Sequence, residues 1–173
     1  SKDITVKPTL FDNKKFLIQN EFRQKTKNSI TLTDFSFANR NGTKSHFFTN
    51  TEMDLSLDNY TSSLLEINYE KTSNDNYLKL FDLKSPLLLE SKDVLESRIK
   101  LDLEHQNYDL TTSVIMYETL SESNTDRYQY VLPSYNFSRN FNLEQLDGSF
   151  NFNSSGQIVS EIPMFTLLHF QII

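Results

Sequence analysis

The sequence predicts an all-β chain folded as an antiparallel up-and-down meander, and three observations carry that prediction. Residues 95–119 alternate by polarity, the turns between successive runs are short enough to bring like faces together, and no stretch keeps a helical period of about 3.6. No apolar run reaches the roughly 18 residues of a spanning helix, whereas a spanning strand needs only about 9–11.

The central pair of runs sets the pattern. Leu95, Ser97, Ile99, Leu101 and Leu103 fall on one side of the first run, and Glu96, Arg98, Lys100, Asp102 and Glu104 on the other. A two-residue turn at Gln106 and Asn107 then sets Leu103 opposite Leu110, Leu101 opposite Thr112, Ile99 opposite Val114 and Ser97 opposite Met116. Burying a row of unpaired charge costs more than a strand's apolar face returns, so the ionic face is expected to touch water. Two architectures satisfy this hairpin. A soluble sandwich or lipocalin-like barrel, binding a small apolar ligand, turns the apolar face inward. An outer-membrane barrel turns it toward lipid and lines a wet lumen with the ions. Alternation leaves both open.

Taken in order, residues 2–11 alternate Ile4, Val6, Pro8 and Leu10 against Thr5, Lys7 and Thr9, with Pro8 weakening the ladder. A turn at Asp12, Asn13 and Lys14 pairs Leu10 with Phe16, Pro8 with Ile18 and Ile4 with Phe22, and leaves Gln19, Glu21, Arg23 and Lys25 on the other face. Residues 29–38 return with Phe35 and Phe37 across from Asn20 and Ile18, as membrane-interface aromatics in one architecture and rim packing in the other. After turn formers at residues 39–42, residues 45–58 alternate Phe47, Met53, Leu55 and Leu57 against His46, Glu52, Asp54 and Asp58. A loop at residues 59–61 is expected to set Ser63, Leu65, Ile67 and Tyr69 against Leu57, Leu55, Met53 and Thr51, with Glu66 on the polar side.

Residues 73–93 break the rhythm: Asn74, Asp75 and Asn76 form a loop, residues 77–83 read as a short strand or a helical turn, and Pro86 stops them. Beyond the central hairpin come a polar loop at residues 121–126, a strand over 129–141, a turn over 142–147 and a strand from Gly148. The count is about nine strands, assigned to residues 1–157. Residues 158–173 carry one charged side chain, Glu161, in a chain that is 23% charged. That tail reads as a final buried strand, or as an end altered by truncation or a shifted frame. The opening Ser-Lys-Asp reads as the start of a fragment of something longer.

Composition removes several function classes. The formal net charge is -6 and the 17 Lys and Arg are dispersed, so no basic stripe awaits a nucleic acid. With no cysteine there are no disulfides, thiolate nucleophiles or cysteine-based zinc sites. His46, His105 and His169 lack metal-ligand spacing. Ser45 next to His46, and His105 near Asn107, suggest barrel hydrolases, but no G-x-S-x-G elbow accompanies them and adjacent strand positions face apart. Glu104 opposite Asp109, and Asp54 opposite Glu66, are like-charge pairs that read as a solvated face before a cation site. Neither an enzyme nor a cofactor is expected.

Four ordered segments resemble the barrel domain of the LptD family, lipopolysaccharide-assembly proteins of the outer membrane also called organic solvent tolerance proteins. They are Asp3-Ile4-Thr5-Val6-Lys7-Pro8-Thr9-Leu10, Asn20-Glu21-Phe22-Arg23-Gln24, Asn74-Asp75-Asn76-Tyr77-Leu78-Lys79 and Val131-Leu132-Pro133-Ser134-Tyr135. The resemblance implies a curved segment of a large transmembrane β-barrel in the cell outer membrane of a Gram-negative bacterium. It implies lipopolysaccharide and membrane lipid as ligands, and as partners a lipoprotein plug of the LptE type and periplasmic bridge proteins docking on an N-terminal domain absent here. On that reading Arg23, Lys25, Glu52, Asp54, Glu66, Glu96, Arg98, Lys100, Asp102 and Glu104 face the lumen, with the basic ones offered to phosphorylated headgroups. Ile18, Phe22, Met53, Leu55, Leu65, Ile67, Ile99, Leu101, Leu103, Leu110, Val114 and Met116 face lipid. No gate residue is carried over.

Overall fold

The computed structural model describes residues 1–11, 15–39, 42–88, 90–121, 127–143, 148–161 and 169–172. The expected turn at residues 12–14 lies outside the described residues, as do residues 40–41 of the one at 39–42, 122–126 of the one at 121–126, 144–147 of the one at 142–147, and residues 162–168 of the tail; residues 142–143 belong to a strand instead.

Ten strands follow one another in both sequence and space: β1 (Lys2–Phe11), β2 (Lys15–Lys25), β3 (Ser29–Asn39), β4 (Thr43–Asp54), β5 (Tyr60–Thr72), β6 (Val94–His105), β7 (Tyr108–Thr119), β8 (Tyr128–Leu143), β9 (Gly148–Glu161) and β10 (His169–Ile172). Every neighbouring pair is antiparallel, and among the described residues β1 and β10 remain the two edges of an open sheet. The fold is thus the expected meander, with one strand more than the expected count. Position 157, where the barrel segment was expected to end, lies within β9, and β10 pairs back onto it with His169 opposite Val159.

Short turns made the registers legible. Leu10–Phe16, Pro8–Ile18 and Ile4–Phe22 pair as expected across β1 and β2, Ile18–Phe37 and Asn20–Phe35 across β2 and β3, and Leu103–Leu110 through Ser97–Met116 across β6 and β7. The β4–β5 hairpin differs. β4 ends at Asp54, and residues 55–59 form a wider turn in which Ser56 (φ 49°) and Asn59 (φ 71°) take left-handed conformations. Leu65 therefore faces Met53, and Ile67 faces Thr51, a slip of two positions from expectation. Because the slip is even, each side chain keeps its face. It does remove the expected Asp54–Glu66 opposition: Asp54 faces Leu64, while Glu66 lies between Glu52 and Lys100.

The buried core lies on the polar side of the sheet. Residues 73–93, with the short helix α1 (Tyr77–Leu80), fold back over that face, so that Tyr77, Leu78, Leu83 and Leu87 pack with Leu17, Ala38 and Phe48. Leu95 and Leu120, at the ends of β6 and β7, complete the cluster. The doubled apolar positions Leu17–Ile18 and Phe47–Phe48 are the sequence trace of this, because a strand covered on both faces loses its alternation.

Candidate functional site

Register assigns each candidate residue to a face. Met53, Leu65, Leu101 and Thr112 form one cross-strand row, and Ile67, Ile99 and Val114 the next. Leu103 with Leu110, Ser97 with Met116, and Ile18 and Phe22 on β2 share this apolar face. Leu55 lies in the turn after β4, its amide donating to Ser63 O at 2.8 Å, and so stands off the strand rows. The apolar face is open: Ile99 is 54% exposed and Val114 41%, while Phe22, Leu65, Leu101, Leu103, Leu110 and Met116 are half-buried among their neighbours.

Aromatic side chains border this face at both ends. At the end carrying the turns 26–28, 55–59 and 106–107, Tyr60, His105, Tyr108, Arg139 and Phe152 align in one register row. The Tyr60 and Tyr108 hydroxyls lie 2.9 Å apart, the His105 ring stacks on Tyr108 at 4.7 Å, and Phe137 follows at 5.8 Å. At the opposite end Phe35 meets Phe37 at 5.8 Å, Phe47 meets Tyr69 at 6.3 Å and Tyr128 meets Tyr130 at 6.4 Å. Aliphatic rows fill the space between.

The ionic candidates line the other face, and their charges are largely spent on one another. Arg98 bonds Glu66 at 2.9 Å and Glu96 at 3.0 Å, and Lys100 holds Asp102 at 2.8 Å. Glu96 is 4% exposed and its amide donates to the buried Glu70 carboxylate, so the expectation of a wholly wetted face holds for the exposed Glu104 and fails beside the inserted segment. Arg23 pairs with Glu21, Glu52 faces Glu66, and Lys25 and Asp54 end their strands exposed. This acidic surplus gives a phosphate little to bind.

Beneath the inserted segment lies a constellation the sequence reading missed. Ser36, on β3, sits opposite His46 on β4, and its Oγ is 2.6 Å from His46 Nδ1 and 2.7 Å from the Tyr77 hydroxyl. On the far side of the ring, His46 Nε2 lies 3.3 Å from Asp34 Oδ1. Ser36 Oγ thus bridges the imidazole Nδ1 and the Tyr77 hydroxyl, while the Asp34 carboxylate faces the other ring nitrogen. These are the atoms of an acyl-transfer relay, but Ser36 has no exposed surface and its oxygen is already taken by Tyr77. The chain of bonds therefore fastens the inserted segment, aided by Gln19 Nε2 donating to Lys84 O at 3.3 Å. Burial raises the Tyr77 hydroxyl's pKa and keeps it neutral. The suggested Ser45–His46 pairing does not form, since those neighbours face opposite ways; reading β3 against β4 would have revealed Ser36.

A second cluster ties the inserted segment to the following strands. Glu118, 1% exposed, receives Lys71 Nζ at 2.8 Å, Arg127 Nη2 at 2.7 Å and the Tyr128 hydroxyl at 3.2 Å. Arg127 also bonds Asp75 at 2.7 Å, which holds the Asp75 carboxyl below the usual range. Among the described residues no group of three or more acidic or histidine side chains is placed to hold a metal. No family model matches the chain, and no curated protein matches it.

Proposed function

We propose that this chain is part of an outer-membrane translocon that assembles lipopolysaccharide into the outer leaflet, with its apolar face against membrane lipid and its polar face toward a barrel lumen. The LptD-like segments motivate the substrate, and one structural observation carries the membrane half of the reading. The sheet leaves its aliphatic face open between two aromatic borders and packs the inserted segment against part of its polar face. That is the pattern of lipid-spanning barrels, which set girdles of aromatic residues at both bilayer interfaces. A soluble carrier would do the reverse, because leaving Ile67, Ile99 and Val114 in water forfeits about 25 cal/mol for each Å² of apolar surface. The edges left by β1 and β10 call for further strands, since unpaired backbone groups are not tolerated in hydrocarbon. A lipoprotein plug inside the lumen and periplasmic bridge proteins would complete the assembly.

Depleting the full-length parent in its host should leave newly made lipopolysaccharide on the periplasmic side while other outer-membrane proteins reach the surface. Unchanged surface delivery would sink the export reading. The membrane half has its own check: spin labels at Ile99 and Val114 of the reconstituted parent should collide with oxygen dissolved in lipid, and labels at Lys100 and Ser113 with a water-soluble relaxant. The opposite accessibility would favour the soluble carrier.

A further inference from the structure

Arg139 differs from the other arginines in what it holds. Arg23, Arg98 and Arg127 each bond a carboxylate, whereas Arg139 has none within reach among the described residues. It stands exposed on β8 in register with Tyr108 and Phe152, and so on the apolar side of the sheet. Its guanidinium lies 4.5 Å from the centre of the Phe141 ring, and the pairs Phe137–Phe152 at 6.3 Å and Phe141–Phe150 at 6.0 Å flank it along β8 and β9. The aromatic border thus holds a cation whose counter-charge the described chain does not supply. An arginine on the lipid side of a barrel costs most at the bilayer midplane and little at the interface, so the row of Tyr60, Tyr108 and Arg139 belongs at headgroup level.

The connections say which leaflet this is. At the end that carries Arg139, β2–β3 and β6–β7 are joined by turns at residues 26–28 and 106–107, and the long inserted segment 73–93 leaves the opposite end. Outer-membrane barrels set short turns at the periplasm and long loops outside, so Arg139 meets the periplasmic leaflet. From this we infer that Arg139 and the aromatic row around it form a site for the phosphodiester of an anionic glycerophospholipid of that leaflet, an inference that rests on the membrane half of the reading above. The planar fork of a guanidinium matches two phosphate oxygens at once. The Tyr60 and Tyr108 hydroxyls, 2.9 Å apart, spend one proton on each other and keep one for a ligand oxygen. Phe150 and Phe152, 54% and 45% exposed, offer an apolar wall to the acyl chains. No acidic side chain stands in the row of Tyr60, His105, Tyr108, Arg139 and Phe152 to receive an ammonium, which favours an anionic headgroup over a zwitterionic one. The site takes a lipid other than the one exported, and the bond fixes the depth of the periplasmic rim.

The test places a photoreactive benzoylphenylalanine at Phe152 of the full-length parent, reconstituted in vesicles of phosphatidylcholine with a minor share of phosphatidylglycerol. On illumination, phosphatidylglycerol adducts should exceed that lipid's share of the bilayer about fivefold, the bias that a single surface arginine gives toward an anionic lipid. Arg139→Gln should return them to the bulk proportion, and Arg139→Lys, which keeps the charge without the fork, should fall between. With the photoreactive group at Ile99 instead, amid the aliphatic rows, both lipids should react in bulk proportion in the parent and in Arg139→Gln alike. Excess free glycerol phosphate should leave the enrichment at Phe152 unchanged; its loss would assign Arg139 to a soluble phosphate and overturn the lipid site. Bulk proportion or no adduct at Phe152 beside lipid adducts at Ile99, or an enrichment that survives Arg139→Gln, overturns the site and leaves the membrane reading standing. No lipid adduct at either position overturns the membrane reading, and the site with it.

Discussion

The polar face is two surfaces on one sheet, and the difference lies in what covers them. Over β2–β5 the inserted residues 73–93 bury Asp34, His46, Ser36 and Glu70, and every charge there has drawn in a partner. Over β8–β9 the described residues of the polar face are mostly exposed, and the register pairs Ser134–Gln157, Asn136–Ser155, Ser138–Asn153 and Asn140–Asn151 hold no ionisable side chain. A covered surface can hold ions because neighbours replace water, as Glu66 and Glu96 do for Arg98.

The largest effect that would sharpen this contrast comes from emptying the covered half. Phe48→Ala removes a ring with no exposed surface and should cost about 3–5 kcal/mol, read as a lower melting temperature and faster proteolysis within residues 73–93. Its neighbour Phe47→Ala, on the open apolar face, should cost about 1 kcal/mol or less in detergent. Equal losses for the two would mean the inserted segment is not packed as described.

A smaller step comes from Tyr77→Phe, which keeps the packing and deletes the bond to Ser36. About 1 kcal/mol should be lost, with residues 73–93 exchanging amide hydrogens sooner than the strands beneath them. Acid tests the second fastening. The Asp75 carboxyl is lowered by Arg127, so its contribution is complete above the ordinary aspartate value of about 3.9 and fades as pH falls through the lower folded value. Proteolytic protection of residues 73–93 should accordingly hold at neutral pH and weaken only in strong acid, less so in Asp75→Asn. Loosening that begins near neutrality would assign control elsewhere. Least of all should Ser138→Ala matter to stability, within about 0.5 kcal/mol, because that side chain serves the open half.

Much of the fold was legible because short turns and strict alternation leave a hairpin few choices. The two-residue turn at Gln106 and Asn107 fixed β6 against β7, and pleating then assigned Ile99 and Arg98 to opposite faces. The β4–β5 register escaped by two residues because Ser56 does not announce a left-handed backbone, and Asn59, which tolerates one, does not by itself fix the length of the turn. Ser36 and His46 escaped because their meeting depends on the β3–β4 register. Lys71, Asp75, Glu118 and Arg127 converge from separate stretches, and spacing along a chain carries no record of such a meeting. Two segments of the LptD-like set, at residues 74–79 and 131–135, fall on the inserted segment and on the bulge in β8 between Val131 and Ser134, where local pattern says least about structure.

The sequence by itself determined that this chain is a meander of amphipathic strands, because side chains alternate in a strand whatever surrounds it. Only the tertiary structure decided that the polar side is the one that closes, since that depended on which face residues 73–93 would fold against. They bring Tyr77, Leu78, Leu83 and Leu87 to the patch where Leu17, Ala38 and Phe48 interrupt the polar row, and apolar surface leaves water where it finds more of its kind.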